Sequence, residues 1–383
     1  MQFEKNISIY KNIYDLPELA YKEKVSWEFL RFYKKTRYFV IIAIYNLKKE
    51  ILLVRDFEKN IGWEIPGGGI NKNEDIIEAI RRITLKETGL EIDELEPVAI
   101  LKNFFVCEEE TILHSGLAFM AMSRGKVKKH NENIKSLFTN DTKIKTVYQN
   151  DKIIQFVQEK LHERQHELPY KEIDGVKNVF FRYVFYVFHK YIIKQIGMLS
   201  SIKIDKEILK LITGKPKSIL DVSCGDSLLI NKLYQKYNPE ICIANDVSWE
   251  IINFIKNKIT NNVIFTNHNI LNLPFKNVFD LVIFKNTLHH IDVKYQIELI
   301  NNLKKISRQL IILDIDNPRY SGILSKIWYS YYRYFLSDCG NYFLSFEKFR
   351  KIIKDETKGL DHKIGLIKTV KGKYFFASLN MPH

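Results

Sequence analysis

Five short apolar runs limit what the second half of this chain can fold into. They are Ile219–Ser223, Ile241–Asn245, Val263–Thr266, Leu281–Lys285 and Leu310–Asp314, with stretches of helical character between them. Strands that alternate with helices return to one sheet in parallel, through right-handed crossovers. A last pair, Ile364–Val370 and Tyr374–Leu379, turns at Lys371-Gly372-Lys373 and reads as an antiparallel hairpin.

A ligand of such a sheet sits at the carboxyl ends of its strands. The first run continues as Asp221-Val-Ser223-Cys-Gly225-Asp226, a tight turn of small residues before a helix expected from Ser227 to Tyr237. Small residues admit a ligand close to the backbone, and a helix N-terminus offers free N–H groups. Asp246 ends the second run, where a carboxylate can accept both hydroxyls of a ribose. Asn269 and Ile270 follow the third; an amide side chain beside a backbone N–H can read an adenine edge. Lys285 ends the fourth, ahead of Thr287-Leu-His289-His290-Ile.

The first half reads differently. A buried strand starts at Tyr38, turns at Asn46 and returns over Ile51–Arg55. Trp63-Glu-Ile-Pro-Gly-Gly-Gly-Ile then runs into a helix expected from about Asp75 to Thr88, stopped by Gly89. Val98–Val106 and His114–Met122 read as strands, and Asp151–His162 as an amphipathic helix. A polar stretch with Pro169 and Gly175 is the expected linker. The expected boundaries are 1–165 for the first domain, 166–176 for the linker and 177–383 for the second domain. After the linker, residues 178–199 are strongly aromatic, a core helix or a lid over an aromatic or lipid-like acceptor. The aromatic stretches Trp328–Phe335 and Asp338–Ser345 are either core or acceptor lining.

Composition narrows the partners. The net charge of +14 comes from dispersed basic residues without an arginine-rich arm, which argues against nucleic acid as the main partner. Cys107, Cys224, Cys242 and Cys339 form no CxxC pair, so neither a zinc site nor a disulfide framework is expected, and no metal site is assigned. The N-terminus lacks an apolar leader and no uncharged run reaches membrane-span length, so a soluble cytoplasmic protein is expected.

The segment framed by Gly68, Glu74, Arg82, Glu87, Gly89 and Leu90 resembles the Nudix hydrolase signature at full length. Two of the family's glutamate positions hold Ile83 and Lys86 instead. Residues 83, 86 and 87 share a helix face, where three carboxylates would hold Mg²⁺. The resemblance therefore implies a Nudix fold with an erased metal site, and a nucleotide or phosphate group as its ligand. Glu108-Glu109-Glu110 is either a compensating acidic loop or a solvated turn.

From about residue 175 onward the ordered motifs Leu-Asp-Val-Ser-Cys-Gly-Asp, Ala-Asn-Asp-Val-Ser, Asn-Ile-Leu-Asn-Leu-Pro-Phe, Phe-Asp-Leu-Val-Ile and Thr-Leu-His-His-Ile resemble class I S-adenosylmethionine-dependent methyltransferases. Ser223 and Ser227 stand where that family has glycine, and Asn269 where it has aspartate. The resemblance implies S-adenosylmethionine as cofactor, held by Asp221, Ser223, Gly225, Asp246, Val247, Asn269, Ile270 and Lys285. A hydroxyl acceptor would need a general base, for which His289 and His290 are the candidates; a His at a helix start also serves as cap or packing. The expected fold class is α/β: an N-terminal Nudix-like mixed-sheet α/β/α sandwich and a C-terminal Rossmann-like seven-stranded methyltransferase domain. The expected function is methyl transfer to a small-molecule acceptor (phosphorylated, nucleotide-linked or lipid-like) beside an inactive Nudix domain. A bifunctional hydrolase/methyltransferase and an RNA-modifying enzyme are the alternatives.

Overall fold

The computed structural model describes residues 10, 14, 16–27, 38–46, 48–56, 62–72, 74–124, 127, 134–141, 144, 146, 150–163, 194–225, 228–259, 262–318, 322, 325–326, 329–330, 340 and 342–382. The expected linker, and the aromatic stretch up to residue 193, lie outside them. So do Asp226 and Ser227, and most of the stretch from Trp328 to Cys339. The chain forms two compact units: Met1–His166 with Asn267–Asn277, and Glu167–Thr266 with Val278–His383.

The first unit is built on a mixed sheet of β1 (Glu18–Lys24), β2 (Tyr38–Tyr45), β3 (Ile51–Asp56), β4 (Gly67–Gly69), β5 (Glu91–Cys107), β6 (Glu110–Arg124) and β7 (Ile134–Thr139). Its order is β1-β5-β6-β2-β3-β7, with β4 paired to β2. β1 runs parallel to β5 and β2 parallel to β6; the other pairs are antiparallel. Helix α1 (Ile76–Thr88) buries Ile76, Ile77, Ala79, Ile80 and Ile83, as the 3.6-residue period of its apolar positions dictates. Helix α2 (Asn150–Glu163) packs Ile153, Val157 and Leu161 against Phe39, Ala43 and Tyr45 of β2. Val40, Ile42 and Ile44, on the other face of β2, are buried too, so the strand is covered on both sides. Glu108 and Glu109 form the turn between β5 and β6, with Glu108 at φ +53°, and Glu110 opens β6. The expected acidic loop is thus a hairpin end. Asn267–Asn277 is tied into this unit. Leu95 pairs with Asn267, Tyr14 pairs with Phe275, and the Tyr14 hydroxyl lies 2.6 Å from His268 Nε2.

The second unit holds β8 (Ser218–Asp221), β9 (Ile241–Asn245), β10 (Ile264–Thr266), β11 (Phe279–Lys285), β12 (Ser307–Ile315), β13 (Asp361–Thr369) and β14 (Gly372–Asn380). The order is β10-β9-β8-β11-β12-β14-β13, which is 3-2-1-4-5-7-6 in the unit's own numbering. The first five run parallel and the terminal hairpin is antiparallel, as the sequence pattern requires. Helices α3 (Lys194–Leu211), α4 (Leu229–Tyr237), α5 (Trp249–Lys256), α6 (Val293–Lys305) and α7 (Phe346–Glu356) complete it. From β8 the chain first steps one way to β9 and β10, then crosses back to β11 on the other side. That reversal is the topological switch point, and it opens a crevice beyond the carboxyl ends of β8 and β11.

Candidate functional site

Asp221 ends β8 and is fully buried. Its Oδ1 accepts the Ser223 N–H at 3.4 Å, while its Oδ2 is buried without a hydrogen-bond partner, as is Ser223 Oγ. Burial pushes the Asp221 carboxyl up to about 7, against the pull of the Lys285 ammonium and the Ser223 N–H. The turn that follows is fixed by backbone donors. Cys224 N–H donates to the Asn245 carbonyl and Gly225 N–H to Asp246 Oδ2, each at 2.9 Å. Ser248 N–H donates to Asp246 Oδ1 at 2.9 Å, and Val247 lies half-buried between them. Gly225 sits at φ +55°, and a Cβ built there would meet nothing within 4 Å. The glycine answers a conformational demand and leaves open space beside the backbone. Asn245 locks three strand ends together: Nδ2 donates to the Val222 carbonyl and Oδ1 accepts from Thr266 Oγ1, both at 2.9 Å.

Lys285 ends β11 and is buried, with Nζ 3.4 Å from Asp205 Oδ1. Asp205 Oδ2 takes Lys232 Nζ at 2.7 Å, so one buried carboxylate on α3 serves two ammonium groups. His289 lies in a short 3-10 turn, Leu288–His290, with its Nδ1 2.6 Å from Asp314 Oδ1. The His290 ring centroid is 4.2 Å from that of His289. Asn269 and Ile270 belong to the segment tied into the first unit. There Asn269 Oδ1 caps the Leu271 N–H at 3.0 Å, and Nδ2 donates to Glu94 Oε1 at 3.1 Å.

In the first unit, Asp75 caps α1 by accepting the Ile77 N–H, and Gly89 at φ +66° closes it. Arg82 reaches back to Glu74 at 2.6 and 2.8 Å and donates to the Gly69 carbonyl at 2.9 Å. The Arg82 hydrogen bond holds the Glu74 carboxyl below its ordinary value. Glu87 Oε2 accepts the Gly67 N–H at 3.3 Å. Ile83 is buried, with Cγ1 and Cδ1 each 3.4 Å from where a Cβ on Gly68 would stand; Lys86 is exposed.

Residues 34–139 match the family model described as NUDIX domain, and residues 219–309 the one described as Methyltransferase domain. The chain carries a Nudix domain and a methyltransferase domain. Comparison of the whole sequence with curated proteins gives no match. Among solved structures, the plantazolicin methyltransferase BpumL, in complex with a triazolic desmethylPZN analog and SAH, is similar at 14% identity. The match covers 54% of this chain and 92% of that one, with a TM-score of 0.40. The N-methyltransferase NodS from Bradyrhizobium japonicum WM9, in complex with S-adenosyl-L-homocysteine, matches at 15% identity over 47% of this chain and 86% of its own, with a TM-score of 0.34. The pyocyanin biosynthetic protein PhzM matches at 11% identity over 48% of this chain and 55% of its own, with a TM-score of 0.39.

S-adenosylmethionine is the cofactor that the resemblance implies, and the residues of the methyltransferase domain fit it. Two buried acceptors without partners, Asp221 Oδ2 and Ser223 Oγ, suit an α-ammonium group. The open side of Gly225 leaves room for the methionine chain. The Nudix helix does not fit Mg²⁺. Of the three positions on the relevant face, only Glu87 is a carboxylate, and it already receives a backbone N–H. Among the described residues, no three His, Cys, Asp or Glu side chains are grouped to hold a metal ion.

Two neighbours of the candidate residues carry no signal in the sequence. Asp205 lies on a helix of mixed composition, and nothing in its local pattern marks it. Asp314 was inside a recognised strand, but a carboxylate at a strand end is common, and only the return of the Leu288–His290 turn gives it a partner.

Proposed function

We propose that the second unit transfers a methyl group from S-adenosylmethionine to a small-molecule acceptor, and that the Nudix domain has lost hydrolysis and keeps a binding role. The observation that carries the first part is the pair of unpartnered buried acceptors, Asp221 Oδ2 and Ser223 Oγ, at the switch point of a 3-2-1-4-5-7-6 sheet. Asp221 and Ser223 hold the ammonium of the methionine part. Gly225 lets it pass close to the backbone, and Asp246, braced by two backbone donors beside Val247, takes the ribose hydroxyls. Lys285 is assigned to the side of the methyl donor. The bound cofactor supplies an electrophilic methyl on a sulfonium; the protein's work is positioning and exclusion of water.

For the Nudix domain, the supporting facts are the buried Ile83 and the exposed Lys86. Gly67–Gly69, expected as a Gly-rich loop, is instead the strand β4 paired to β2, and its Gly67 N–H is already taken by Glu87; the exposed Lys86 ammonium is what suits an anion such as a nucleotide phosphate.

The Asp221 carboxyl gives the cofactor reading a pH signature. In the free protein it is half-protonated near its raised value of about 7. An ammonium against Oδ2 favours the ionised form, so binding below that pH expels a proton. S-adenosylhomocysteine affinity should therefore fall as pH drops below about 7, by up to about tenfold per unit, and level off above it. For folding the sign is opposite: a raised acid stabilises at low pH and loses that contribution as pH climbs through about 7. Calorimetry from pH 5.5 to 8.5, in two buffers of different ionisation heat, measures the proton released. Asp221→Asn should bind more weakly and without pH dependence. Wild-type binding that ignores pH across this range would remove Asp221 from the site.

A further inference from the structure

We propose that Asp205 is a positioning residue: it draws the Lys285 ammonium to itself and so keeps the Asp221 carboxylate open for the ammonium group of the cofactor. The inference rests on the S-adenosylmethionine reading above and adds to it a residue from α3, away from the strand ends.

Two buried carboxylates compete for one buried ammonium. Ile283 pairs with Asp221 in the parallel register of β11 and β8. Side chains alternate along a strand, so Lys285, two residues on, leaves the same face of the sheet as Asp221. Lys285 is 6% exposed, and an ammonium so placed requires a counter-ion. It takes Asp205, with Nζ 3.4 Å from Oδ1. Asp221 Oδ2 is left without a hydrogen-bond partner.

Asp205 competes well because it is itself fixed. It is 4% exposed, and its Oδ2 holds Lys232 Nζ of α4 at 2.7 Å. One carboxylate thus bridges cations from α4 and β11. The charges around Asp221 agree with this arrangement. Burial pushes its carboxyl up most; Lys285 and the Ser223 N–H pull it down, and Asp246 and Asp205 add to the rise. The thiols of Cys224 and Cys242, also beside it, are raised by burial and stay neutral. A direct ion pair of Lys285 with Asp221 would instead hold that carboxyl in the ordinary acid range. An ammonium arriving at Oδ2 therefore has no cation to displace. Without the Asp205 charge, Lys285 turns to Asp221, and the ligand must break a buried ion pair to bind.

The test uses the full chain and two ligands, S-adenosylhomocysteine and its analogue lacking the α-amino group. Asp205→Asn keeps the side-chain size and removes its charge. It should weaken S-adenosylhomocysteine binding by about tenfold to a hundredfold, the range of one charged hydrogen bond, and leave the deaminated analogue within about threefold of wild type. With Lys285 on Asp221, the acid-side loss of affinity should begin well below pH 7. In a Lys285→Met background the same Asp205→Asn change should cost less than about threefold, because no ammonium is left to misplace. Lys285→Met alone should move the midpoint of the pH profile above 7, and this arm stands even where Asp205→Asn fails to fold. Full S-adenosylhomocysteine affinity in Asp205→Asn, equal weakening of both ligands, the same cost with and without Lys285, or an unmoved midpoint in Lys285→Met would each overturn the proposal while leaving cofactor binding intact. No binding of S-adenosylhomocysteine by the wild type would instead remove the cofactor reading, and this inference with it.

Discussion

Asp246→Ala is expected to weaken S-adenosylhomocysteine binding by about 30- to 150-fold, the equivalent of about 2–3 kcal/mol for charge-assisted hydrogen bonds. Two losses combine in that figure. The ribose hydroxyls lose their acceptor, and the turn loses a brace, because Asp246 receives both the Gly225 and the Ser248 N–H. Gly225 then has no partner holding it at φ +55°. Asp246→Asn keeps one acceptor oxygen and should cost less than the alanine. Calorimetry on both variants, alongside thermal melts, separates ribose contact from turn support. Full affinity in Asp246→Ala would place the ribose elsewhere.

The double change Ile83→Glu and Lys86→Glu should lower the melting temperature of the Nudix domain by roughly 4–12 °C in metal-free buffer. Ile83 is buried against Gly68, so its loss removes about 2–3 kcal/mol of apolar burial, and the new carboxylate enters a site built for a methyl group. A domain of this size loses about 2–4 °C per kcal/mol. Mg²⁺ or Mn²⁺ should return part of the loss, because positions 83, 86 and 87 then present three carboxylates on one helix face. The unaltered protein, given a panel of nucleoside diphosphate compounds with either ion, should release no nucleoside monophosphate. Turnover above about 1 s⁻¹ that Glu87→Gln abolishes would show that the domain still hydrolyses. A double variant that melts unchanged and ignores metal would mean that residues 83, 86 and 87 do not share the face assigned to them.

Much of the fold was legible because its signals are local. Helix α1 was readable at both ends: Asp75 caps and Gly89 terminates in the structure as their residue types dictate. The five parallel strands announce themselves as apolar runs that end in polar groups, and the C-terminal hairpin by Gly372 at its turn. β1 and β7 were missed for the opposite reason. Glu18–Lys24 alternates exposed with half-buried residues at a sheet edge, and Ile134–Thr139 is a short edge strand, so neither carries a strong apolar pattern. The length of β5 was also hidden: Glu94 at φ +50° and the irregular register near Pro97 interrupt its alternation without ending the strand.

Of the site, the residues on strand ends were legible and their partners were not. Asp221, Asp246 and Lys285 follow from position alone, since an open α/β sheet puts its ligand there. Asp205 and Asp314 join the candidate residues only through contacts 80 and 25 residues away in sequence, with Lys285 and His289. Asn269 shows the same limit from the other side. Its residue type suggested an adenine contact, but its amide also donates to Glu94, 175 residues earlier, a contact that no local pattern encodes.

The central claim, that the second unit is built around S-adenosylmethionine, is tested most directly by ligand-induced thermal shift of the full chain. S-adenosylmethionine, S-adenosylhomocysteine, NAD⁺ and ATP would be compared at equal concentration. At 100 times the dissociation constant a bound ligand adds about 2.7 kcal/mol. The expected result is a clear, saturable rise with S-adenosylmethionine and S-adenosylhomocysteine that Asp246→Ala reduces and that NAD⁺ does not reproduce. A rise with NAD⁺ alone, or none with either sulfur compound up to millimolar concentration, would contradict the account.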